Sequence, residues 1–229
     1  MTSTADLPAT AANWLIARLA EQDGPLALAL SGGSTPKKLF ELLATPAYAA
    51  QIPWPRLHLF WGDERFVPTD DPSSNYRMTK QALLDHVPIP PGNVHPIPTT
   101  NLTPEQSAHQ YEQFLKIFHG SNDLSQPLFH VVLNGLGTNG HFASLFPDTP
   151  SLSERTAWAT PVTPAGERTR ITLTYPALES CRHAAFLVSG PDKAEILAQI
   201  RAHAPQYPAS HYHPQGTLTW LTDDPAEGK

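Results

Sequence analysis

Short apolar runs alternate along the chain with longer segments in which apolar residues recur at helical spacing. The runs predict strands at residues 26–30, 57–61, 129–133, 170–174, 184–189 and 217–221. The helical patterns predict helices at residues 8–21, 37–43, 76–85, 104–118 and 191–203. Strands that alternate with helices favour a mostly parallel sheet covered on both faces, with most strand-end loops on one edge. No linker or repeat interrupts the pattern, so we expect residues 1–229 to form a single domain.

Local capping signals refine these boundaries. Residues 31–36 predict a glycine turn, after which Thr35 is the expected N-cap of the 37–43 helix and Pro36 its first residue. Thr103 is the expected cap of the 104–118 helix. Residues 62–75 predict a polar loop and the proline-rich residues 87–98 an irregular loop. A short helix is expected around residues 175–181.

Composition excludes several classes of protein. Of 229 residues, 40% are hydrophobic and 16% are charged, which is typical of soluble globular proteins. The net charge of −6 argues against nucleic-acid binding, although a locally basic pocket remains possible. The single cysteine, Cys181, excludes an internal disulfide and is interpreted as a buried apolar residue. Neither a signal peptide nor a membrane-length apolar run is evident, so we expect a cytoplasmic protein.

The most informative segment is residues 134–147, which follow an apolar run. Three glycines at 135, 137 and 140 lead directly to His141. Glycines let a turn bring backbone close to a ligand, and a histidine can accept a proton near neutral pH. Since open α/β sheets bind ligands at the carboxyl ends of their strands, this segment predicts an active-site loop.

Two further strand ends carry groups suited to an anionic ligand. The turn at residues 31–36 presents backbone N–H groups of Gly32 and Gly33 with the Ser34 and Thr35 hydroxyls, which suits a phosphate or an oxyanion. An ordinary helix cap is an equally good interpretation. Residues 190–194 place Lys193 in a first helical turn, where a cation is unfavourable unless an anion lies nearby.

Arginines add to this set. Arg170 opens a predicted strand and is a second candidate for the same anion. Asp63 and Arg65, after the 57–61 strand, suit sugar hydroxyls and phosphate, and Asn75 and Arg77 extend that polar cluster. A solvated surface loop is the alternative interpretation of the 62–65 segment.

Other polar residues are interpreted as structural. Three histidines near the C-terminus, His203, His211 and His213, have a spacing that zinc sites use, but no cysteine or carboxylate lies in register, which favours exposed loop histidines. Ser144 follows His141 closely, yet nothing in the sequence makes it an acylating nucleophile.

Taken together, these motifs resemble the 6-phosphogluconolactonase family. The matching segments are residues 30–36, 61–68, 74–77, 135–147, 170–174, 190–194 and 207–210. They run in family order over nearly the whole chain, and Gly-His-x-Ala-Ser-Leu-Phe-Pro at 140–147 is the most specific. The related glucosamine-6-phosphate deaminases share the first two motifs but continue differently after their Gly-His.

The resemblance implies a three-layer αβα sandwich with a Rossmann-like, mostly parallel sheet. It implies hydrolysis of 6-phospho-D-glucono-1,5-lactone in the oxidative pentose phosphate pathway, with no metal or organic cofactor. From the charge and the apolar runs we expect no nucleic-acid or membrane partner, and we expect a monomer or weak oligomer. His141 matches the family's general base, whereas Arg170 and Lys193 match its phosphate site. Asp63, Arg65 and Arg77 match polar residues of its cleft.

Four positions depart from the family's usual pattern: aspartate is usual at Asn139 and His130, threonine at Phe142, and an apolar residue at Asn134. Asn139 is the most consequential. A carboxylate there would raise the pKa of His141, whereas an amide can only orient the ring.

The motifs suggest direct attack of water on the lactone carbonyl, with His141 as general base and either Arg65 or the glycine-loop N–H groups stabilising the oxyanion. Two alternatives remain. One is a sugar-phosphate isomerase or deaminase in which Asp63 moves the proton. The other is a non-catalytic sensor that keeps the pocket and lacks the carboxylate at Asn139.

Overall fold

A seven-stranded parallel sheet is the centre of the structure, a computed structural model that describes residues 2–228. The strands are β1 (Thr2–Thr4), β2 (Leu26–Leu30), β3 (Leu57–Trp61), β4 (Asp63–Arg65), β5 (Val94–His95), β6 (Phe129–Gly135), β7 (Ala159–Val162), β8 (Arg170–Leu173), β9 (Cys181–Val188) and β10 (Thr217–Asp223). The parallel sheet has the order β1-β10-β9-β6-β2-β3-β5, and β4, β8 and β7 form a separate antiparallel sheet. All six predicted strands are present.

Helices connect these strands and cover the parallel sheet. They are α1 (Leu7–Leu19), α2 (Ser34–Leu43), α3 (Pro46–Ala49), α4 (Asn75–Ala82), α5 (Pro104–His119), α6 (Tyr175–Glu179) and α7 (Ala194–Arg201). Helix α1 packs on α2 and contacts β6, β9 and β10, whereas α5 packs on the antiparallel sheet through β7 and β8. The predicted α/β fold with a mostly parallel sheet is confirmed.

The core is made by the strands of the parallel sheet that are buried on both faces. Every residue of β2 is buried, and so are residues 129–134 of β6. Both strands are near-continuous apolar runs, as parallel strands covered by helices require. The order β6-β2-β3 means that the chain leaves β2 toward β3 and later returns on the other side of β2. This reversal is a topological switch point, where the loops after β2 and β6 diverge and leave a crevice.

Several predicted boundaries are wrong for identifiable reasons. Helix α2 begins at Ser34, and its N-cap is Gly33 rather than Thr35. Gly33 has φ of 103°, which favours glycine, and its carbonyl accepts the first helical hydrogen bond from Lys37 at 3.1 Å. By contrast, Thr103 caps α5 as predicted and forms a capping box with Gln106.

The two predicted loops both contain strands. Residues 63–65 form β4, which pairs antiparallel with β8, and residues 94–95 form β5, which pairs with β3. Strands of two or three residues are too short to show an alternating pattern in the sequence. The same limit explains why β1 was not predicted.

Two predicted helices also end or begin differently. Cys181 opens strand β9, because α6 ends at Glu179. Burial raises the pKa of the Cys181 thiol to about 12, which agrees with an inert apolar residue. The predicted 191–203 helix divides into a 3₁₀ turn, Pro191–Lys193, and helix α7.

Candidate active site

The crevice at the switch point holds a cavity of about 310 Å³. Four loops that follow β2, β3, β6 and β9 contribute to it. Its lining includes nine of the residues selected from the sequence, namely Gly32, Gly33, Ser34, Thr35, Asp63, Arg65, His141, Arg170 and Lys193. The loops after β2 and β6 are also tied together, since the N–H of Gly135 donates to Oγ of Ser31 at 3.1 Å.

His141 is held by a tight turn at the end of β6. The N–H of Gly137 donates to the carbonyl of His141 at 2.8 Å, and the N–H of Gly140 donates to the carbonyl of Gly137 at 3.0 Å. The imidazole lies directly over Gly137, where a Cβ atom would come within 2.1 Å of the ring. Glycine at 137 is therefore required by the position of the histidine ring.

Asn139 determines which nitrogen of His141 carries the proton. Its Oδ1 lies 2.6 Å from Nδ1 of the ring and 3.3 Å from the backbone N of His141. An amide oxygen only accepts, so Nδ1 is protonated in this arrangement and Nε2 carries the lone pair. Asn139 itself is exposed and lies outside the cavity lining. It acts on the cavity through the histidine.

Burial dominates the electrostatics of His141. Desolvation lowers the pKa of its imidazole to about 4, with a smaller opposing contribution from the negative charge of Asp63. The positive charge of Arg170 lowers the same pKa further. The ring is thus neutral at physiological pH, as a proton acceptor must be.

Asp63 is a buried carboxylate whose oxygens both accept hydrogen bonds. Oδ2 accepts from Oγ of Ser144 at 2.6 Å, and Oδ1 accepts from Nδ2 of Asn75 at 3.2 Å. Nη1 of Arg170 lies 3.9 Å from Oδ2. Ser144 is fully buried, and its N–H donates to Oγ1 of Thr172 at 3.1 Å. These contacts support the structural interpretation of Ser144.

Glu64 is turned away from this cluster. Its buried carboxylate accepts from the backbone N–H groups of Arg65, Asn75 and Tyr76 at 2.7 to 2.8 Å and so caps the start of α4. Burial raises the pKa of Glu64, while these hydrogen bonds oppose the change. Adjacent residues of a strand face opposite sides, which is why Asp63 lines the cavity and Glu64 does not.

Of the two arginines selected near Asp63, one side chain lines the cavity and the other points away from it. Arg65 lines the cavity and is anchored by its Nη1, which donates to the carbonyl of Ser73 at 2.6 Å. Arg77 does not line it, because its Nη1 donates to the carbonyl of Asp70 at 2.7 Å on the outer side of α4. Two residues along a helix turn the side chain about 200°, so Asn75 reaches the cavity instead.

The expected phosphate groups converge on one part of the cavity. The N-terminus of α2 faces the opening with Ser34 and Thr35, and the lining also contains Arg170 and Lys193. Nζ of Lys193 lies 2.9 Å from Oδ2 of Asp192, an exposed side chain. Three cationic and two anionic side chains line the cavity, whereas the whole chain has a net charge of −6. The cavity is therefore locally basic.

Four more lining residues have polar side chains but were not among the selected site residues: Ser31, Asn75, Ser189 and Asp192. Of these, Asn75 was expected only to extend the polar cluster around Asp63 and Arg65. Each lies next to or within a motif that was selected, so adjacency to a strand end was the available signal. Gly32 also has a packing role, since a Cβ there would come within 2.0 Å of Oδ1 of Asn75.

The other three departures differ in their distance from the base: Phe142 follows His141 directly and lines the cavity, whereas Asn134 and His130 lie in β6. Phe142 is buried against aromatic rings, with Tyr212 at 4.9 Å between centroids. Asn134 is buried in β6, and Nε2 of His130 lies 2.7 Å from the carbonyl of Arg18 at the opposite end of that strand. Among these four positions, Asn139 is the one that contacts His141 by a hydrogen bond.

His203, His211 and His213 are all exposed, and Nε2 of His211 lies 2.7 Å from the carbonyl of Pro205. No group of three or more His, Cys, Asp or Glu side chains within residues 2–228 is arranged to hold a metal ion. Over the same residues, no helix is long and apolar enough to cross a membrane.

Comparisons with known proteins agree with the motifs. The sequence model of the family described as glucosamine-6-phosphate isomerases/6-phosphogluconolactonase matches residues 2–220. A 6-phosphogluconolactonase from Synechocystis is 44% identical over 92% of this chain and 87% of its own length, and one from Nostoc is 43% identical over 89% and 84%. The solved 6-phosphogluconolactonase from Trypanosoma cruzi superposes with a TM-score of 0.87 at 29% identity, covering 100% of this chain and 95% of that one. The resemblance inferred from the motifs is confirmed, and the chain belongs to the family of glucosamine-6-phosphate isomerases and 6-phosphogluconolactonases.

Proposed function

We propose that this protein hydrolyses 6-phospho-D-glucono-1,5-lactone to 6-phospho-D-gluconate, a step of the oxidative pentose phosphate pathway. The observation that carries the proposal is the placement of His141, with Nδ1 bonded to Asn139 at 2.6 Å, in the same cavity as Arg170 and Lys193. A proton acceptor next to a basic pocket suits a phosphorylated substrate with an electrophilic carbonyl. Relatives at 44% and 43% identity are named 6-phosphogluconolactonases.

His141 is the general base of the proposed mechanism. Nε2 takes a proton from a water molecule as that water adds to C1 of the lactone, which leaves a tetrahedral oxyanion. The oxyanion is stabilised by Arg65 or by N–H groups of the glycine loops. Among the lining glycines, Gly32 and Gly33 suit this role, because the N–H groups of Gly135 and Gly137 already donate to Ser31 and His141. The imidazolium then returns the proton to the ring oxygen O5 as the C1–O5 bond breaks.

Binding of the phosphate group orients the lactone in the cavity. Arg170 and Lys193 bind it as cations, and Ser34 and Thr35 at the N-terminus of α2 add hydrogen bonds. Binding energy from this remote group holds C1 near Nε2 of His141. A lactone is already an activated ester, so general-base help of about 10²–10⁴-fold is sufficient and no covalent nucleophile is needed.

The contacts of Asp63 favour this mechanism over an isomerase or deaminase reaction. Its two oxygens accept from Ser144 and Asn75, which gives the carboxylate a fixed structural position. We assign Asp63 the role of holding Arg170 and balancing charge near His141. The sensor alternative predicts binding of 6-phosphogluconate without lactone turnover.

The experiment is lactone hydrolysis by the wild type and by His141→Ala, corrected for the spontaneous rate, with exposed His211→Ala as the matched control. We expect His141→Ala to lose about 10²–10⁴-fold in kcat and His211→Ala to keep wild-type activity. Wild-type turnover by His141→Ala contradicts the assignment of the base. Ammonia release from glucosamine 6-phosphate, tested in parallel, would instead favour a deaminase.

We further propose that the protein acts in the cytoplasm as a single-domain monomer or weak oligomer, with the phosphosugar lactone as its partner. Sedimentation at micromolar concentration measures the oligomeric state directly.

A further inference from the structure

The ring of Phe146 contacts both chemical centres of the cavity. Its centroid lies 4.1 Å from that of the His141 ring, with the planes inclined by 24°. The guanidinium carbon of Arg170 lies over the same ring, 5.0 Å from its centroid. Phe146 is 5% exposed and does not line the cavity. It is thus placed beneath the proposed base and one proposed phosphate ligand rather than against the substrate.

A sharp turn after His141 brings Phe146 to this place. The N–H of Leu145 donates to the carbonyl of Phe142 at 2.9 Å, and Ala143 has φ of 47°. Ser144, at the tip of the turn, is held by its hydrogen bond to Asp63. The chain therefore doubles back, and the residue five positions after His141 lies against its ring.

An aromatic face has a different effect on each protonation state of the histidine. Neutral imidazole stacks on the ring through dispersion, whereas imidazolium gains a cation–π attraction to the negative ring face. Imidazolium forms when His141 takes the proton from water. Asn139 supplies no negative charge to that cation, so an aromatic face is worth more in this chain than it would be beside a carboxylate.

The charged side chains around His141 have opposing effects on the pKa of its imidazole. Asp63 and Glu167 raise the pKa of the imidazole, whereas Arg170 and Lys193 lower it. The side chain of Arg170 is also bonded to Glu167, and its buried Nε has no hydrogen-bond partner. The ring of Phe146 therefore supports one face of a guanidinium whose hydrogen bonds are incomplete.

We propose that Phe146 is a positioning residue that holds the His141 ring and the Arg170 guanidinium in a fixed relation and stabilises the imidazolium during turnover. This inference rests on the proposed lactonase function, because it assigns Phe146 a part in that reaction. It differs from a purely structural role, which would require only apolar bulk at position 146.

The test compares Phe146→Leu, which keeps apolar bulk, with Phe146→Tyr, which keeps the ring. Phe129→Leu is the matched control, because Phe129 is a buried aromatic at the far end of β6, packed against Phe60 at 5.6 Å. We expect Phe146→Leu to lower kcat about tenfold, since it removes the cation–π term, and to raise KM as Arg170 loses its support. Phe146→Tyr should stay within about twofold of wild type, and Phe129→Leu should lose thermal stability but keep kcat and KM.

A second measurement does not depend on turnover. Nitrogen NMR of the His141 ring reports its tautomer and its titration, and we expect Phe146→Leu to mix the two tautomers while Phe146→Tyr keeps Nδ1 protonated.

Three results would each overturn the proposal. They are wild-type kinetics and ring signals in Phe146→Leu, equal losses in the Leu and Tyr variants, and the same kinetic loss in Phe129→Leu. If Phe146→Leu fails to fold, Phe146→Met replaces it with the same expectations. Absence of lactone turnover in the wild type would refute the proposed function, while the ring signals would still decide whether Phe146 positions His141.

Discussion

Oδ1 of Asn139 lies 2.6 Å from Nδ1 of His141. The two residues are separated by one glycine, so the contact is made within the loop itself. It orients the ring and selects the tautomer with a free Nε2, but it brings no charge. The pKa of His141 is accordingly lowered to about 4 by burial without a neighbouring carboxylate at position 139.

Asn139→Asp should raise kcat or move the pH optimum upward. A carboxylate beside Nδ1 favours the imidazolium and so raises the pKa of His141 toward the operating pH, where a general base is most effective. The acid limb of kcat/KM, which follows deprotonation of the base, then moves up from about pH 4. Asn139→Ala is the control, since it removes orientation without adding charge and should lower kcat. If Asn139→Asp leaves both the rate and the profile unchanged, the carboxylate is dispensable here.

Gly137→Ala should lower activity sharply while the protein still folds. The added Cβ would lie 2.1 Å from the His141 ring, so the ring must leave its hydrogen bond with Asn139. A displacement of about 1 Å in a reacting group can cost on the order of 10²-fold in rate. Gly92→Ala is the matched control, because no atom lies within 4 Å of the added Cβ there. Comparable kcat values for the two variants would show that the ring position is not restrictive.

Ser144→Ala should destabilise the fold and weaken the site together. It leaves Oδ2 of the buried Asp63 without its 2.6 Å hydrogen bond, and an unsatisfied buried acceptor costs about 1–3 kcal/mol, more when it is charged. Urea unfolding measures the free energy, and exposed Ser153→Ala serves as the control. Steady-state kinetics should show a lower kcat, but activity should remain because Ser144 is not a nucleophile. Complete loss of turnover in a folded Ser144→Ala variant would contradict the structural interpretation.

Lys193→Ala and Arg170→Ala should raise KM for the phosphorylated lactone. Hydrogen bonds to charged groups contribute about 1.5–3 kcal/mol, so each loss corresponds to roughly a 10- to 100-fold increase. Hydrolysis of the unphosphorylated glucono-1,5-lactone should change little, since that substrate lacks the bound group. Lys37→Ala, which removes an exposed lysine of α2 paired with Glu41, should behave as wild type. Equal losses on both substrates would place the phosphate elsewhere.

Stability should fall as the pH decreases below about 6.5, in part because of His95. Its ring stacks on that of His58 at 5.3 Å, and burial lowers its pKa from 6.5 to about 4. Between these values the unfolded chain binds a proton that the folded protein does not, so stability is lost as the pH falls from 6.5 through 4. His95→Phe should reduce the slope of unfolding free energy against pH in this window. An unchanged slope in urea titrations at pH 4 to 7 would exclude His95 as a contributor.

The sequence was sufficient where a feature depends on neighbours along the chain. The apolar runs predicted β2, β3 and β6 because parallel strands buried on both faces are continuous in apolar residues. The capping box at Thr103 and Gln106 is equally local. The alignment of glycine turns with strand ends placed His141 and Lys193 in one candidate site, since carboxyl ends of parallel strands share an edge. Arg170 opens a strand instead, and it was added to that site as a candidate for the same anion.

The sequence was insufficient to predict which side chains of an element face the cavity. Nothing in Asp63-Glu64-Arg65 indicates which side chain enters the cavity until β4 pairs with β8. The pairing is with residues more than 100 positions away, and a strand of three residues has no periodicity to reveal its faces. Arg77 illustrates the same limit, because the direction in which α4 presents it follows from how Glu64 caps that helix.

By itself, then, the sequence determined the order of six of the strands and of the longer helices, the loop that presents His141 and the closeness of Asn139 to that histidine, since these follow from local propensity and from glycine spacing. Only the tertiary structure decided that Ser144 holds Asp63 across 81 residues, that Phe146 lies under both His141 and Arg170, and that Glu64 is a helix cap. Such contacts depend on how separate loops meet at the switch point of the sheet, and the hydrophobic pattern of any one segment carries no information about that meeting.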